Sequence, residues 1–126
     1  MRLLLDTHAL IWLFQGNRRI SEALLEQIHK ADSLAISVAS LWEIAIKKSI
    51  GKLDLEDSVS EYEQICRRGG IAILPISVDA LEGIQQLPNI HRDPFDRLLI
   101  ATAVEEGMAL VTNDEKIRRY DIQTVW

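Results

Sequence analysis

Cysteine occurs once in the 126 residues, as Cys66, which excludes an internal disulfide framework and any Cys-rich zinc site. In its context Cys66 reads as a small apolar residue on a helix. No apolar run approaches the roughly 20 residues that span a bilayer, so no membrane association is expected. The opening Met1-Arg-Leu-Leu-Leu5 reaches Asp6 too soon to form a signal-peptide core, which makes the cytosol the expected compartment. Positive charge is scarce as well. Fourteen Lys and Arg stand against 19 Asp and Glu, a net charge of −5 with a pI near 5.1. That balance argues against a protein that coats nucleic acid by bulk electrostatics. It leaves room for a nuclease, because carboxylates that hold metal add to the negative count and a bound cation reverses the field felt by a substrate phosphate. Local basic groups would then have to steer the substrate. The candidates are Arg18 and Arg19, the Lys47, Lys48 and Lys52 group, Arg67 and Arg68, and Arg92 with Arg97, each of which also reads as a solvated surface charge.

What is present is the composition of an ordinary globular protein, 48% hydrophobic and 26% charged, sized for a single domain over residues 1–126. Strands and helices alternate along it without a low-complexity linker or an internal repeat. Arg2-Leu-Leu-Leu-Asp6 is a short apolar run suited to a buried parallel strand, and a helix follows from about Thr7. Gly16-Asn17 breaks that helix. Ile20 to His29 places Ile20, Leu24, Leu25 and Ile28 on one stripe, which predicts an amphipathic helix. Leu34 to Ser37 reads as a strand, Ala39 to Ile50 as a helix closed by Gly51, and Asp57 to Arg68 as a helix stopped by Gly69-Gly70. Ile71 to Leu74 is a strand ending at Pro75, and Val78 to Leu87 a helix ending before Pro88. Asp93 then suits an N-cap, Pro94 the first helical position and Asp96 the first turn of a helix ended by Gly107. Ala109 to Thr112 is a strand, Asp114 opens a short helix through Arg119, and Gln123 to Trp126 adds an edge strand. The expected fold is α/β, a mainly parallel central sheet flanked by helices on both faces.

Ligands of such sheets bind beyond the carboxyl ends of the strands. Asp6 and Asp114 fall there, although each also suits the cap of the helix that follows. Asp96 shares its helix face with Leu99, Ile100 and Ala103, where an unpaired charge is costly; its simpler role is to complement the helix dipole. Asp93 has the capping role more plainly. Around Glu43, Leu41, Trp42 and Ala45 mark the buried side of the helix, with Glu43 pointing away into an exposed pair with Lys47 worth ~0.3–0.5 kcal/mol. Taken singly, each acid has a structural explanation; the four together, near strand ends and helix starts, suggest a compact acidic pocket.

Four stretches carry a resemblance across nearly the whole chain: Leu4-Leu-Asp-Thr-His-Ala-Leu10, Ser40-Leu-Trp-Glu-Ile44, His91-Arg-Asp-Pro-Phe-Asp-Arg-Leu-Leu-Ile-Ala-Thr-Ala103 and Leu110-Val-Thr-Asn-Asp114. In that order they resemble the PIN-domain ribonucleases, and within them the VapC-type toxins of bacterial toxin–antitoxin pairs. The resemblance implies a PIN-like fold and places the acidic quartet on Asp6, Glu43, Asp96 and Asp114, with Thr112 as the hydroxyl residue near the fourth acid. It further implies an RNA substrate, Mg²⁺ or Mn²⁺ as cofactor, a homodimer and a small antitoxin partner. Mg²⁺ prefers oxygen ligands and keeps several waters, which suits a few carboxylates and open positions for substrate. The expected reaction is hydrolysis of a phosphodiester by a metal-activated water, leaving a 5′-phosphate and a 3′-hydroxyl. Asp6 and Asp96 are then the direct metal contacts, Glu43 and Asp114 complete the shell or orient a water, and Thr112 adds a hydrogen bond behind them. Arg97 and Lys47 are candidate RNA contacts, Arg97 alternatively binding a carboxylate.

Other residues take plainer roles. His8 reads as a helix-surface or packing residue and His29 as exposed, His91 as a packing residue with a loop anchor or an RNA contact as the alternatives, and Trp12, Trp42 and Trp126 as core or dimer contacts rather than base-stacking platforms. The competing function is a catalytically silent PIN-like module that binds protein or RNA, with its acids serving as caps. A phosphatase with an Asp nucleophile after its first strand would want an acid where His8 stands. A phosphoacceptor receiver domain would want a Lys where Thr112-Asn-Asp follows the late strand.

Overall fold

A computed structural model describes residues 1–126. Its centre is Arg2–Leu5 (β1), whose Leu3, Leu4 and Leu5 are almost wholly excluded from solvent. Ser33–Ser37 (β2) and Ile71–Leu74 (β3) lie in turn on one side of it, and Ala109–Val111 (β4) and Thr124–Val125 (β5) on the other. All four pairings are parallel, with Leu4 beside Ala35 in β2 and beside Leu110 in β4. The expectation of a mainly parallel sheet is therefore met in full, edge strand included.

Period-two alternation divides the core between the two faces of the sheet. Leu3 and Leu5 pack with Leu10, Leu24, Ile28, Ile44, Tyr62 and Cys66, contributed by Thr7–Gln15 (α1), Glu22–His29 (α2), Val38–Ser49 (α3) and Val59–Arg68 (α4). Leu4 points the other way, to Leu99, Ile100 and Ala103 of Pro94–Glu106 (α6), with Leu110 and Tyr120. Ala39, Ala80, Leu98 and Ala101 form a third, small cluster in which short side chains let α3, α6 and Val78–Gln86 (α5) approach one another.

Side-chain caps set several helix starts later than apolar periodicity suggests. Ser21 caps α2 by accepting from the Leu24 N–H, so Ile20 lies outside it. Ser58 and Glu61 form a reciprocal capping box, which starts α4 at Val59 rather than Asp57. Ser37 accepts from Ala39 N–H and so caps α3 at its junction with β2. Asp93 caps α6 by accepting from the Phe95 and Asp96 N–H groups at 2.8 and 3.2 Å, with Pro94 first in the helix. Gly107 closes α6 with φ of 64°, a left-handed turn that a side chain would strain. Asp114 does not itself open a helix. Its Oδ1 accepts from Ile117 N–H at 2.9 Å, where a single 3₁₀ turn, Ile117–Arg119, begins.

The chain runs outward from β1 through β2 to β3, then returns to the opposite side of β1 as β4. Strand order thus reverses between β1 and β4, and a crevice opens beyond their carboxyl ends. Asp6 follows β1, and Thr112 and Asp114 follow β4, so the topology alone brings these distant residues together.

Candidate metal centre

Asp6 is both cap and pocket residue. Its Oδ1 accepts from the Ala9 N–H at 2.7 Å, its backbone N–H donates to Val111 O across the β1–β4 seam, and its side chain is almost entirely buried. Burial pushes the Asp6 carboxyl above its usual range, against the lowering effect of hydrogen bonds from the Thr112 hydroxyl and the Ala9 amide. Thr112 is fully buried, and its Oγ1 also accepts from Asp114 N–H at 3.0 Å. One hydroxyl therefore links the two acids that flank the crevice.

Glu43 corrects the sequence reading of α3. The helix is turned so that Trp42 is 57% exposed and Ala45 also faces solvent, while Glu43 is only 4% exposed. The expected pair with Lys47 is present, Nζ to Oε2 at 2.7 Å, but it is largely sheltered. Burial works to lower the Lys47 pKa, yet the Glu43 bond with the charges of Glu43, Asp93 and Asp96 prevails and the ammonium is held above its usual range. Lys47 is thus an internal counter-charge to the acids. It serves only one Glu43 oxygen, because Oε1 is buried without any hydrogen-bond partner. A second buried contact, Thr7 Oγ1 to Ser40 Oγ at 3.0 Å, ties α1 to α3 one turn before Glu43. Sequence reading passed over both hydroxyls, although each sits beside a motif acid.

Asp96, in the first turn of α6, is pushed up to about 8, first by burial and then by the charges of Asp93, Glu43, Asp114 and Asp6. Asp96 therefore feels the charge of each of the other three quartet acids. The residue that sequence reading undervalued is His91. Buried at the loop before α6, its Nε2 lies 3.0 Å from Asp96 Oδ2 and 3.4 Å from Asp114 Oδ2. Its Nδ1 accepts from Asp93 N–H at 3.2 Å, so the ring hydrogen sits on Nε2 and points at the two carboxylates. The His91, Asp96 and Asp114 donor atoms all fall within 4.8 Å of one another.

Arg97 turns from the pocket. Its Nη1 donates to the carbonyls of Pro88 and His91 and to the Tyr120 hydroxyl, and its Nη2 to Ile84 O, at 3.1 to 3.4 Å. Tyr120 Oη in turn accepts from His91 N–H and donates to Pro88 O, both at 2.8 Å. The planar guanidinium fork matches a set of loop carbonyls, and with Tyr120 it fixes the backbone that carries His91.

Asp6 and Asp114 open onto a cavity of about 210 Å³ that His8, Trp12 and Asn113 also line; Glu43 and Asp96 do not line it. A larger cavity, about 300 Å³, lies at the opposite pole beside Met1 and Leu3, away from every candidate residue. The close donor atoms of His91, Asp96 and Asp114 could hold a divalent cation; Asp6 and Glu43 lie outside that group of three.

The family model for the PIN domain matches residues 3–123. The chain belongs to the PIN-domain family. Among relatives, this PIN domain is 31% identical over 118 residues to Ribonuclease VapC22 of Mycobacterium tuberculosis, an alignment covering 93% of this chain and 90% of that protein. Among solved structures it resembles VapBC2 from Rickettsia felis bound to a promoter DNA fragment, with a TM-score of 0.72 at 18% identity, covering 100% of this chain and 98% of that one. It also resembles a toxin–antitoxin complex from Klebsiella pneumoniae, with a TM-score of 0.67 at 24% identity over 98% of this chain and 96% of the other. These structural likenesses establish the PIN-like fold expected from the sequence.

Proposed function

We propose that this chain is a single PIN domain acting as a metal-dependent endoribonuclease, the toxin of a toxin–antitoxin pair. The observation that carries the reading is Glu43, a buried carboxylate with one oxygen left without a partner, together with an Asp96 that burial, and then the charges of its acidic neighbours, keep from ionising. Lys47 offsets only one of these charges, and the remaining oxygen-rich donor set fits a hard divalent cation, Mg²⁺ or Mn²⁺. Asp6 and Asp96 would hold it directly, with Glu43 and Asp114 completing the shell or orienting a water. When bound, the ion supplies a water of lowered pKa and offsets charge on the phosphoryl oxygens. The chain's own groups do the positioning. Thr112 fixes Asp6 relative to Asp114, His91 holds Asp96 against Asp114 through one N–H, and the Arg97–Tyr120 bonds hold His91. Products would carry a 5′-phosphate and a 3′-hydroxyl.

The relative named as a ribonuclease supports the substrate class, and the toxin–antitoxin complexes among the structural neighbours support a small antitoxin partner. Val38, Trp42, Ile46 and Ile50, exposed along α3, support a homodimer. Lys47 is sheltered against Glu43, and we assign it to charge balance in the pocket with RNA contact as a secondary role. No helix is long and apolar enough to cross a membrane, and we assign the chain to the cytosol.

Incubating antitoxin-free protein with a panel of RNAs, with and without EDTA, tests the reading. Cleavage lost in EDTA and restored by Mg²⁺, with 5′-phosphate ends, is the expected result. Stoichiometric RNA or protein binding without turnover would instead favour the catalytically silent module.

A variant pair tests the assignment of His91 as an orienting donor. His91→Ala is expected to weaken Mg²⁺ binding, measured by calorimetry, roughly 10–100-fold, the usual cost of losing a group that orients a metal ligand. His91→Gln, whose amide N–H extends in a similar direction, is expected to recover most of it. Equal loss in both variants, with a changed preference between Mg²⁺ and Mn²⁺, would make the imidazole a ligand instead.

A further inference from the structure

The cavity beside the acids has two unlike walls. Asp6 and Asp114 form one, and His8 and Trp12 the other, with Asn113 at the rim. His8 and Trp12 are one helical turn apart on α1, so their rings share a face, with centroids 5.4 Å apart and planes inclined by 40°. Two further contacts hold the indole. Trp126 meets it edge-on at 5.7 Å, and the Arg19 guanidinium lies 5.1 Å from its centroid. Its packing cost is therefore already met in the free protein, and a ligand need not order it.

Trp12 packs against the core, which is sufficient reason for an indole at that position. It is not sufficient for His8, an exposed ring whose side of the cavity faces two carboxylates. A nucleobase suits that space, because it is flat, stacks on aromatic faces and carries no charge for the acids to repel. An anionic group would be repelled by those same acids in the absence of a cation. About 210 Å³ is the room of roughly seven waters at ~30 Å³ each, enough for one base. The Asn113 amide offers both a donor and an acceptor for a base edge.

We infer that His8 and Trp12 form a stacking subsite for one nucleobase of single-stranded RNA, next to the phosphate held at the acid cluster. This rests on the endoribonuclease reading. A paired base cannot enter such a site without leaving its helix, so the subsite selects loops and unpaired segments. It also reverses the sequence expectation that His8 and Trp12 serve only surface and packing roles.

The test is binding of a fluorescein-labelled RNA oligomer, of a sequence the protein cuts, to the full chain in Ca²⁺, read by anisotropy. A second set of oligomers carries one abasic position each, scanned along the strand. Trp12→Ala is expected to weaken binding of the intact oligomer roughly 10–100-fold, the usual effect of deleting one stacking partner. Trp12→Phe should lose less, and His8→Ala several-fold. With the abasic site at one particular position, wild type and variants should bind equally well. His8 is exposed, so His8→Ala should keep the wild-type melting temperature and carries the test even if Trp12→Ala does not fold. Equal weakening of intact and all abasic oligomers, or unchanged affinity for the intact one, overturns the subsite while leaving the nuclease reading in place. Absence of any RNA binding or cleavage by the wild type overturns both. Weakened binding of an antitoxin alone would make the aromatic wall a protein contact and also overturn the inference.

Discussion

Asp6→Asn is expected to reduce RNA cleavage at least ~100-fold, beyond the usual cost of disturbing groups that merely orient metal ligands, and to leave the fold intact. The substitution separates the two tasks of the residue. Asn keeps an oxygen that can accept from Ala9 N–H, so the cap on α1 survives. What disappears is a negative charge that burial disfavours, which makes the metal-free variant equal to or more stable than the parent. Asp6→Ala provides the contrast, because it also loses the cap and should cost about 1 kcal/mol. Cleavage assays with thermal melts in EDTA distinguish these outcomes. Full activity in Asp6→Asn would remove Asp6 from the metal shell, and marked destabilisation would show that the cap had been its main role.

The second large effect is a stability that falls as pH rises in the absence of metal. Asp96 has a folded pKa of about 8, above its ordinary value of 3.8, so the fold favours the protonated acid. The stability tied to that proton is fully present below about pH 4 and is lost as pH rises towards 8. Asp6 is shifted in the same direction. The opposing groups act elsewhere. Asp32 and Glu61 are lowered, so their contribution is lost only as pH falls below the ordinary carboxylate range, and the raised Lys47 matters only above its usual value. Between pH 5 and 8 in EDTA, melting temperature should therefore fall by roughly 5–10 °C, on the order of 1–3 kcal/mol. Millimolar Mg²⁺ should recover most of the loss at pH 8 and little at pH 5, since a cation favours the ionised acids. A flat or rising melting curve in EDTA over that interval would contradict the charge balance described for the pocket.

Several features behind these expectations can be read directly from the residues. The Leu3–Leu5 run, the Asp93-Pro94 start and the Gly107 stop are local signals, each interpretable within a few residues, and the structure follows them. Asp6, Asp96 and Asp114 could be located near strand ends and helix starts for the same reason. Glu43 is different. Its helix carries apolar residues on most faces, so Leu41 and Ile44 compete with Trp42 and Ile46 to define the inner side, and only contact with α1 and α6 decides between them. The mistaken choice of Trp42 as a buried residue turned Glu43 outward on paper. His91 offered no local pattern, because its partners lie at Asp96 and, 23 residues on, Asp114. Arg97 misled by adjacency: a guanidinium next to an acid suggests a phosphate or an ion pair, and nothing nearby in sequence reveals that carbonyls of the preceding loop fill its fork.

The seam between β1 and β4 has a consequence for how the chain is made. Asp6 leaves the ribosome long before Thr112 and Asp114, its counterparts across the seam. A nascent copy that has not yet reached β4 therefore holds only scattered acids and no assembled pocket.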